Sequence, residues 1–149
     1  MKTTRMAKDY AANAAWLLRE AENALEAKNG PVCVRRLQEA LELASKAVLR
    51  RLAIEYPRQH DVSDAMEFAS NRLPECLKNR VEDIAQALTE LDRIRGPAFY
   101  GYEAEGTPPS EAFTADYAEQ TLRRVKPLVK LCIEFAAGDN DRSRGSTFV

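Results

Sequence analysis

The chain has 149 residues, 22 basic and 23 acidic side chains, a formal net charge of −1 and 45% hydrophobic residues. That length suits one domain able to bury a core without staples. Acids and bases are interspersed, which excludes the bulk field that marks many nucleic-acid and membrane binders. No apolar run approaches the ~20 residues of a membrane span, and the polar N-terminus has no signal-peptide core, so a cytoplasmic protein without a membrane partner is expected. Cys33, Cys76 and Cys132 are widely spaced, form no C-x-x-C and have one histidine for company. They read as small apolar residues of a reduced protein, with no metal and no cofactor implied.

In chain order, Tyr10, Ala14, Leu17, Ala21 and Ala24 recur at spacings of four and three and predict a first helix over about 5–28. Trp16 falls one position off the stripe and is expected to widen it at the edge. Asn29-Gly30-Pro31 reads as a stop and a start, the glycine ending one helix and the proline opening the next. A second helix over about 32–54 carries Leu37, Leu41, Ala44 and Val48 on one face, with Ala40, Ala47 and Leu52 alongside. So short a connection folds the two helices into an antiparallel hairpin. Glu42 and Lys46 stand four apart in the favourable order. The plain reading is a surface ion pair worth ~0.3–0.5 kcal/mol; the other is a pair that binds.

Residues 55–61 form a connector in which Asp61 is an N-cap candidate for a short third helix ending near Ala69. The connector holds the only histidine, His60, whose imidazole titrates near neutrality and either serves as acid or base or packs on its neighbours. A fourth helix over about 74–95 repeats Leu77, Val81, Ile84, Leu88 and Leu91. Residues 96–113 then read as a long irregular loop, which in a compact domain is functional or mobile. Thr114 is the expected N-cap of the last helix, with Ala118, Leu122, Val125, Val129 and Cys132 on its stripe, a kink at Pro127 and an end at Gly138. The fold class is all-α: an antiparallel up-down bundle of four long helices and one short one over residues 1–137, followed by a polar tail over 138–149 that is expected to be disordered. Leu41, Val48, Leu77, Ile84, Leu88 and Val129 are predicted to share one core.

The stretch that invites chemistry follows the fourth helix. Gly96-Pro97 is expected to break that helix, because proline cannot continue it and restrains the residue before it. Arg93 and Arg95 lie just before the break, and Tyr100, Tyr102 and Glu103 just after. Two arginines two residues apart point in different directions, so at most one faces the tyrosines. Gly101 leaves room for a partner to approach.

Several of these pieces resemble one family. Residues 37–49, with Glu42 and the Lys46-Ala47 pair, look like the second-helix signature of HEPN domains. Residues 54–62, with His60-Asp61, resemble that family's connector, and residues 95–103 with 113–119 are similar to its closing third. The resemblance implies a helical bundle that usually forms a symmetric homodimer. Many members are metal-independent ribonucleases, and many are encoded beside a minimal nucleotidyltransferase as a toxin–antitoxin pair. The ribonuclease motif is Arg, four to six residues, then His. Members paired with the nucleotidyltransferase extend it by one residue and a Tyr that the partner adenylylates. Arg95 matches the Arg, Tyr102 matches the modified Tyr, and Tyr100 stands where the His belongs.

That departure bears on chemistry. Attack by an RNA 2′-hydroxyl needs a group that moves protons near neutral pH, and a phenol with the ordinary pKa of about 10 is a poor base. Arg95 still offers a planar fork of donors for a phosphate. His60 substitutes for the missing base only where folding brings it to the same cleft. Three functions follow. The chain is a nucleotidyltransferase partner that binds nucleotide or RNA through Arg93, Arg95, Tyr102 and Glu103. Alternatively, it is a ribonuclease using Arg95 and Tyr100, or a structural bundle in which Phe99, Tyr100 and Tyr102 pack the loop.

Overall fold

A computed structural model describes residues 2–58 and 61–138; His60 and the tail over 139–149 lie outside the described residues. Among them are seven α-helices: α1 Lys2–Glu26, α2 Gly30–Arg51, α3 Ser63–Ala69, α4 Glu75–Lys78, α5 Val81–Tyr100, α6 Pro109–Ala112 and α7 Ala115–Ala137. Short 3-10 turns occupy Ser70–Arg72 and Glu103–Glu105, and the one β-type pairing described is an isolated bridge between Tyr102 and Thr107. The class is all-α.

Helix α2 is the axis. Twelve of its residues are buried, and α1, α5 and α7 all pack on it. The first two helices run in opposite directions: Glu20 pairs with Arg36, and Ala7 and Ala11 meet Ala47 at the other end. The last helix runs parallel to α2, since Phe113 and Thr114 lie over Gly30 while the Arg51 guanidinium reaches the Phe135 carbonyl. The last turn of α5 returns to the start of α2, where Arg35 lies over the Phe99 ring. Leu41, Val48, Leu77, Ile84, Leu88 and Val129 are at most 2% exposed and belong to one cluster, as the stripes predict.

Where the helices stop is less orderly than the sequence suggests. The first ends at Glu26 because Lys28 takes a left-handed φ of 62°, with Lys28 N–H donating to the Leu25 carbonyl and Asn29 N–H to that of Ala24. Gly30 does not end that helix but begins the next. Asn29 caps it, its side chain accepting from Val32 N–H. The second helix stops at Arg51 rather than Ile54, by the same device: Ala53 has a φ of 57° and Ile54 N–H reaches back to the Leu49 carbonyl. Both ends are Schellman-type turns without the usual glycine, and each left-handed residue costs ~1–2 kcal/mol that packing must offset. Asp61 does not cap α3 directly; it accepts from Ser63 N–H and from the Thr89 hydroxyl.

The buried face of α1 runs through Ala7, Ala11, Ala14, Leu18 and Ala21, one position away from the predicted stripe at several points. In an alanine-rich helix both faces are apolar by composition, so periodicity alone places the centre poorly. Trp16 is 59% exposed and carries Arg19 over its ring at 4.5 Å, so it does not extend the core face. The predicted fourth helix is broken at Asn79 and Arg80 into α4 and α5, yet Leu77 and Val81 both remain buried. Asn79 keeps near-helical angles, φ −68° and ψ −12°, so the stripe survives the break. Thr114 caps α7 as predicted, accepting from Tyr117 N–H, and the helix runs on past Pro127. Cys132 is buried, as its stripe predicts, and Cys33 is buried too, but Cys76 is exposed on α4.

Candidate functional site

The 95–113 segment is built, not slack. The fifth helix passes straight through Gly96-Pro97 and ends only at Tyr100. Proline's clash with the preceding residue involves that residue's Cβ, which Gly96 lacks, so the dipeptide that looks like a stop is a tolerated helical proline. The actual terminator is Gly101, with a φ of 73° and its N–H donating to the Pro97 carbonyl at 2.6 Å. A Cβ there would lie 2.2 Å from the Thr107 carbonyl oxygen. Beyond it Tyr102 and Thr107 exchange both backbone hydrogen bonds, at 2.8 and 3.1 Å, and Gly106 closes the turn with a φ of 67°. Helix α6 and the buried Phe113 ring then lead into the Thr114 cap.

This changes where the predicted side chains point. Arg95 lies inside a helix, half-buried, and not at its end. Tyr100 is five residues on, about 140° around the helix at 3.6 residues per turn, so the two do not share a face. Arg93 opens elsewhere, onto a cleft of about 410 Å³ between α3 and α5 that is lined by Asp64, Glu67 and Glu90. What the fold does assemble is a stack. Phe99 and Tyr100 lie face to face with centroids 4.6 Å apart, and the Arg35 guanidinium sits 4.2 Å over Phe99. Both rings are more than half exposed. A second aromatic series, Tyr102 on Phe113 at 6.2 Å and Phe113 on Tyr117 at 5.7 Å, fastens the turn to α7. Tyr102 stays 42% exposed, and Glu103 and Glu105 bring carboxylates beside it.

Glu42 and Lys46 lie in a different place. Gln38, Glu42, Lys46 and Arg50 follow one another at four-residue intervals and make a polar ladder down the axial helix. Gln38 Nε2 donates to Glu42 Oε1, and Lys46 Nζ to Glu42 Oε2, each at 2.8 Å. The pair is not on the surface as the plain sequence reading has it: its side chains are 17% and 16% exposed. The lower half of the ladder opens on a cleft of about 700 Å³ lined by Tyr10, Glu42, Leu43, Lys46, Arg50, Glu55, Tyr56 and Arg58. Lys46 and Arg50 both lie over the Tyr56 ring, at 5.6 and 5.2 Å. The oxygens of Tyr56 and, less, Tyr10 hold the Arg50 guanidinium above its ordinary range. Arg35 and Lys46 are about 16 Å apart along the helix at ~1.5 Å per residue, so with the Arg93 cleft the fold divides the described site residues among three regions.

Sequence reasoning missed Arg35, Arg50, Tyr56 and Tyr10. The four-residue spacing of the ladder was readable, but the approach of Tyr56 and Tyr10 depends on tertiary packing. The buried thiols are not candidate nucleophiles: burial, and for Cys33 the Glu22 carboxylate, push Cys33 up to about 11 and burial pushes Cys132 up to about 12. No helix among the described residues is long and apolar enough to cross a membrane. Neither the curated proteins nor the solved structures yield a match to this chain. The family comparison does: residues 7–135, from the first turns of α1 to the last turn of α7, match the HEPN domain, and the chain belongs to that family.

Proposed function

We propose that this HEPN protein is the partner of a minimal nucleotidyltransferase in a toxin–antitoxin-type module. Residues 1–137 act as a homodimeric bundle that binds nucleotide or RNA along the 95–103 segment, with Arg95 in the last turns of α5 and Tyr100, Tyr102 and Glu103 at and beyond its end. The observation that carries the reading is the Arg35–Phe99–Tyr100 stack, whose outer ring is 62% exposed. A base laid on an aromatic platform gains ~1–3 kcal/mol without sequence preference, and the neighbouring guanidiniums supply charge for a phosphate. Tyr102 is the acceptor for the partner. Its phenol oxygen attacks the α-phosphate of ATP, pyrophosphate leaves, and the phenol proton is lost. The added phosphate brings negative charge to the turn and repels RNA from it. Ribonuclease activity is not part of the proposal, since a phenol replaces the imidazole of the motif.

The test is anisotropy of a labelled short single-stranded RNA, with ATP as competitor, on the wild type, Phe99→Ala and Arg95→Ala. Each variant is expected to bind at least tenfold more weakly. Equal affinity in all three removes the turn as the binding surface. Incubation with a minimal nucleotidyltransferase and ATP should add mass at Tyr102, and modification that persists in Tyr102→Phe removes that residue as acceptor.

A further inference from the structure

The cleft beside the lower half of α2 has a charge imbalance that the turn does not share. On the ladder, the Glu42 carboxylate already takes the Lys46 ammonium and the Gln38 amide. Arg50 forms no ion pair among the described residues; it faces the Tyr56 ring and the phenol oxygens, and its Nε is buried without a hydrogen-bond partner. Arg58, on the rim of the same cleft, is exposed and in no ion pair among the described residues. Among the described residues Glu55 is the one other carboxylate of the lining, and it lies at the exposed rim. Arg50 is half-buried with its Nε shielded, and a concave site whose guanidiniums outnumber its unengaged carboxylates among the described residues is organised to receive an anion.

From this we infer that the cleft formed by Tyr10, Lys46, Arg50, Tyr56 and Arg58 binds the phosphate group of a small ligand, at a site separate from the 95–103 turn. The Arg50 guanidinium offers a planar fork to two phosphate oxygens. Phenols whose oxygens face that guanidinium turn their O–H groups outward as further donors, and Arg58 adds charge at the rim. Leu43 gives the remainder of the ligand an apolar wall. The volume of about 700 Å³ falls within the range of small-ligand sites. Glu42 and Glu55 flank the cations and disfavour a continuous polyanion, so a compact phosphate is the fitting occupant.

The experiment titrates the full chain by calorimetry with inorganic phosphate and, separately, with glycerol phosphate. Saturable binding of both is expected, tighter for the ester; tighter binding of the free ion overturns the apolar wall. Arg50→Gln should weaken it at least tenfold and Arg58→Gln severalfold. If Arg50→Gln does not fold by circular dichroism, Arg50→Lys keeps the charge and removes the fork, and the same tenfold loss is expected there. No saturable binding of either probe overturns the proposal, and so does binding that Arg50→Lys leaves intact. Binding lost in Arg95→Ala but kept in Arg50→Lys would assign the phosphate to the turn instead, which overturns this site while leaving the turn's proposed function standing.

Discussion

The turn at the end of α5 and the ladder on α2 are held together in opposite ways. The turn is a backbone structure: Gly101 and Gly106 take positive φ, Tyr102 and Thr107 pair main chain to main chain, and the side chains left over are exposed rings. The ladder is a side-chain structure on an unbroken helix, where charge and amide groups satisfy one another at four-residue intervals. Function placed on the first depends on shape and stacking. Function placed on the second depends on which charges remain unpaired. The difference teaches where each region is fragile: the turn fails when a Cβ is added, and the ladder fails when a charge is removed.

The largest expected effect breaks the turn. Gly101→Ala places a methyl 2.2 Å from a backbone carbonyl oxygen that cannot swing away, at a φ of 73°. The left-handed conformation alone costs ~1–2 kcal/mol, and the overlap adds to it, so a loss of ~3 kcal/mol or more is expected in urea denaturation. Gly96→Ala is the matched control, five residues earlier in the same helix. Apart from its chain neighbours and the helix's own backbone, nothing lies within 4 Å of its would-be Cβ, and an interior helical glycine gives up ~0.5–1 kcal/mol relative to alanine. The new Cβ meets Pro97, which offsets that gain, so the net change should be far smaller than the Gly101→Ala loss. A larger loss at Gly96 than at Gly101 would put the helix end back at Gly96-Pro97.

A smaller effect sharpens the other side of the comparison. A double-mutant cycle on Glu42→Gln and Lys46→Met should give a coupling of ~1 kcal/mol or more, because both side chains are largely withdrawn from water. The same cycle on Glu119 and Arg123, whose side chains are 49% and 78% exposed, should give ~0.3–0.5 kcal/mol. Equal couplings would mean that the ladder is as wet as the surface and that its charges have no special standing.

The stripes on α2, α5 and α7 were legible because Leu41, Val48, Ile84, Leu88 and Val129 alternate with polar residues, so one period fits one face. The α1 stripe was not, because alanine on several sides leaves the pattern without contrast. The ends of α1 and α2 were illegible for another reason: Lys28 and Ala53 hold left-handed angles that only surrounding contacts stabilise. At Gly96-Pro97 two breaking residues cancel, the glycine removing the Cβ that the proline would strike. The candidate site suffered from the same gap. Arg95, Tyr100 and Tyr102 were visible as a motif, but their directions hung on a helix that runs five residues further than expected. Arg50 was hidden by its ordinary place in a basic helix end, and only the approach of Tyr56 and Tyr10 sets it apart.

The smallest effect concerns three thiols that report on the two regions without disturbing either. Cys33 lies in the first turns of α2, near Gly30, over which the backbone of residues 113–114 closes. Cys132 is fully buried in the middle of the α2–α7 packing, while Cys76 is exposed. At pH 8 a disulfide reagent should therefore label one thiol per native chain quickly and two slowly. The slow ones react only through opening, since burial holds Cys33 up to about 11 and Cys132 up to about 12 against an ordinary 9.0. Those raised values also set a pH dependence. Above pH 9 the unfolded chain releases thiol protons that the folded chain keeps, so stability is full below that pH and declines as pH rises toward 11 and 12. If the turn opens by itself, lifting residues 113–114 from Gly30, Cys33 should label several times faster than Cys132, and Gly101→Ala should widen that gap. Equal rates would mean that turn and ladder open together, because both thiols would then be waiting for the whole bundle.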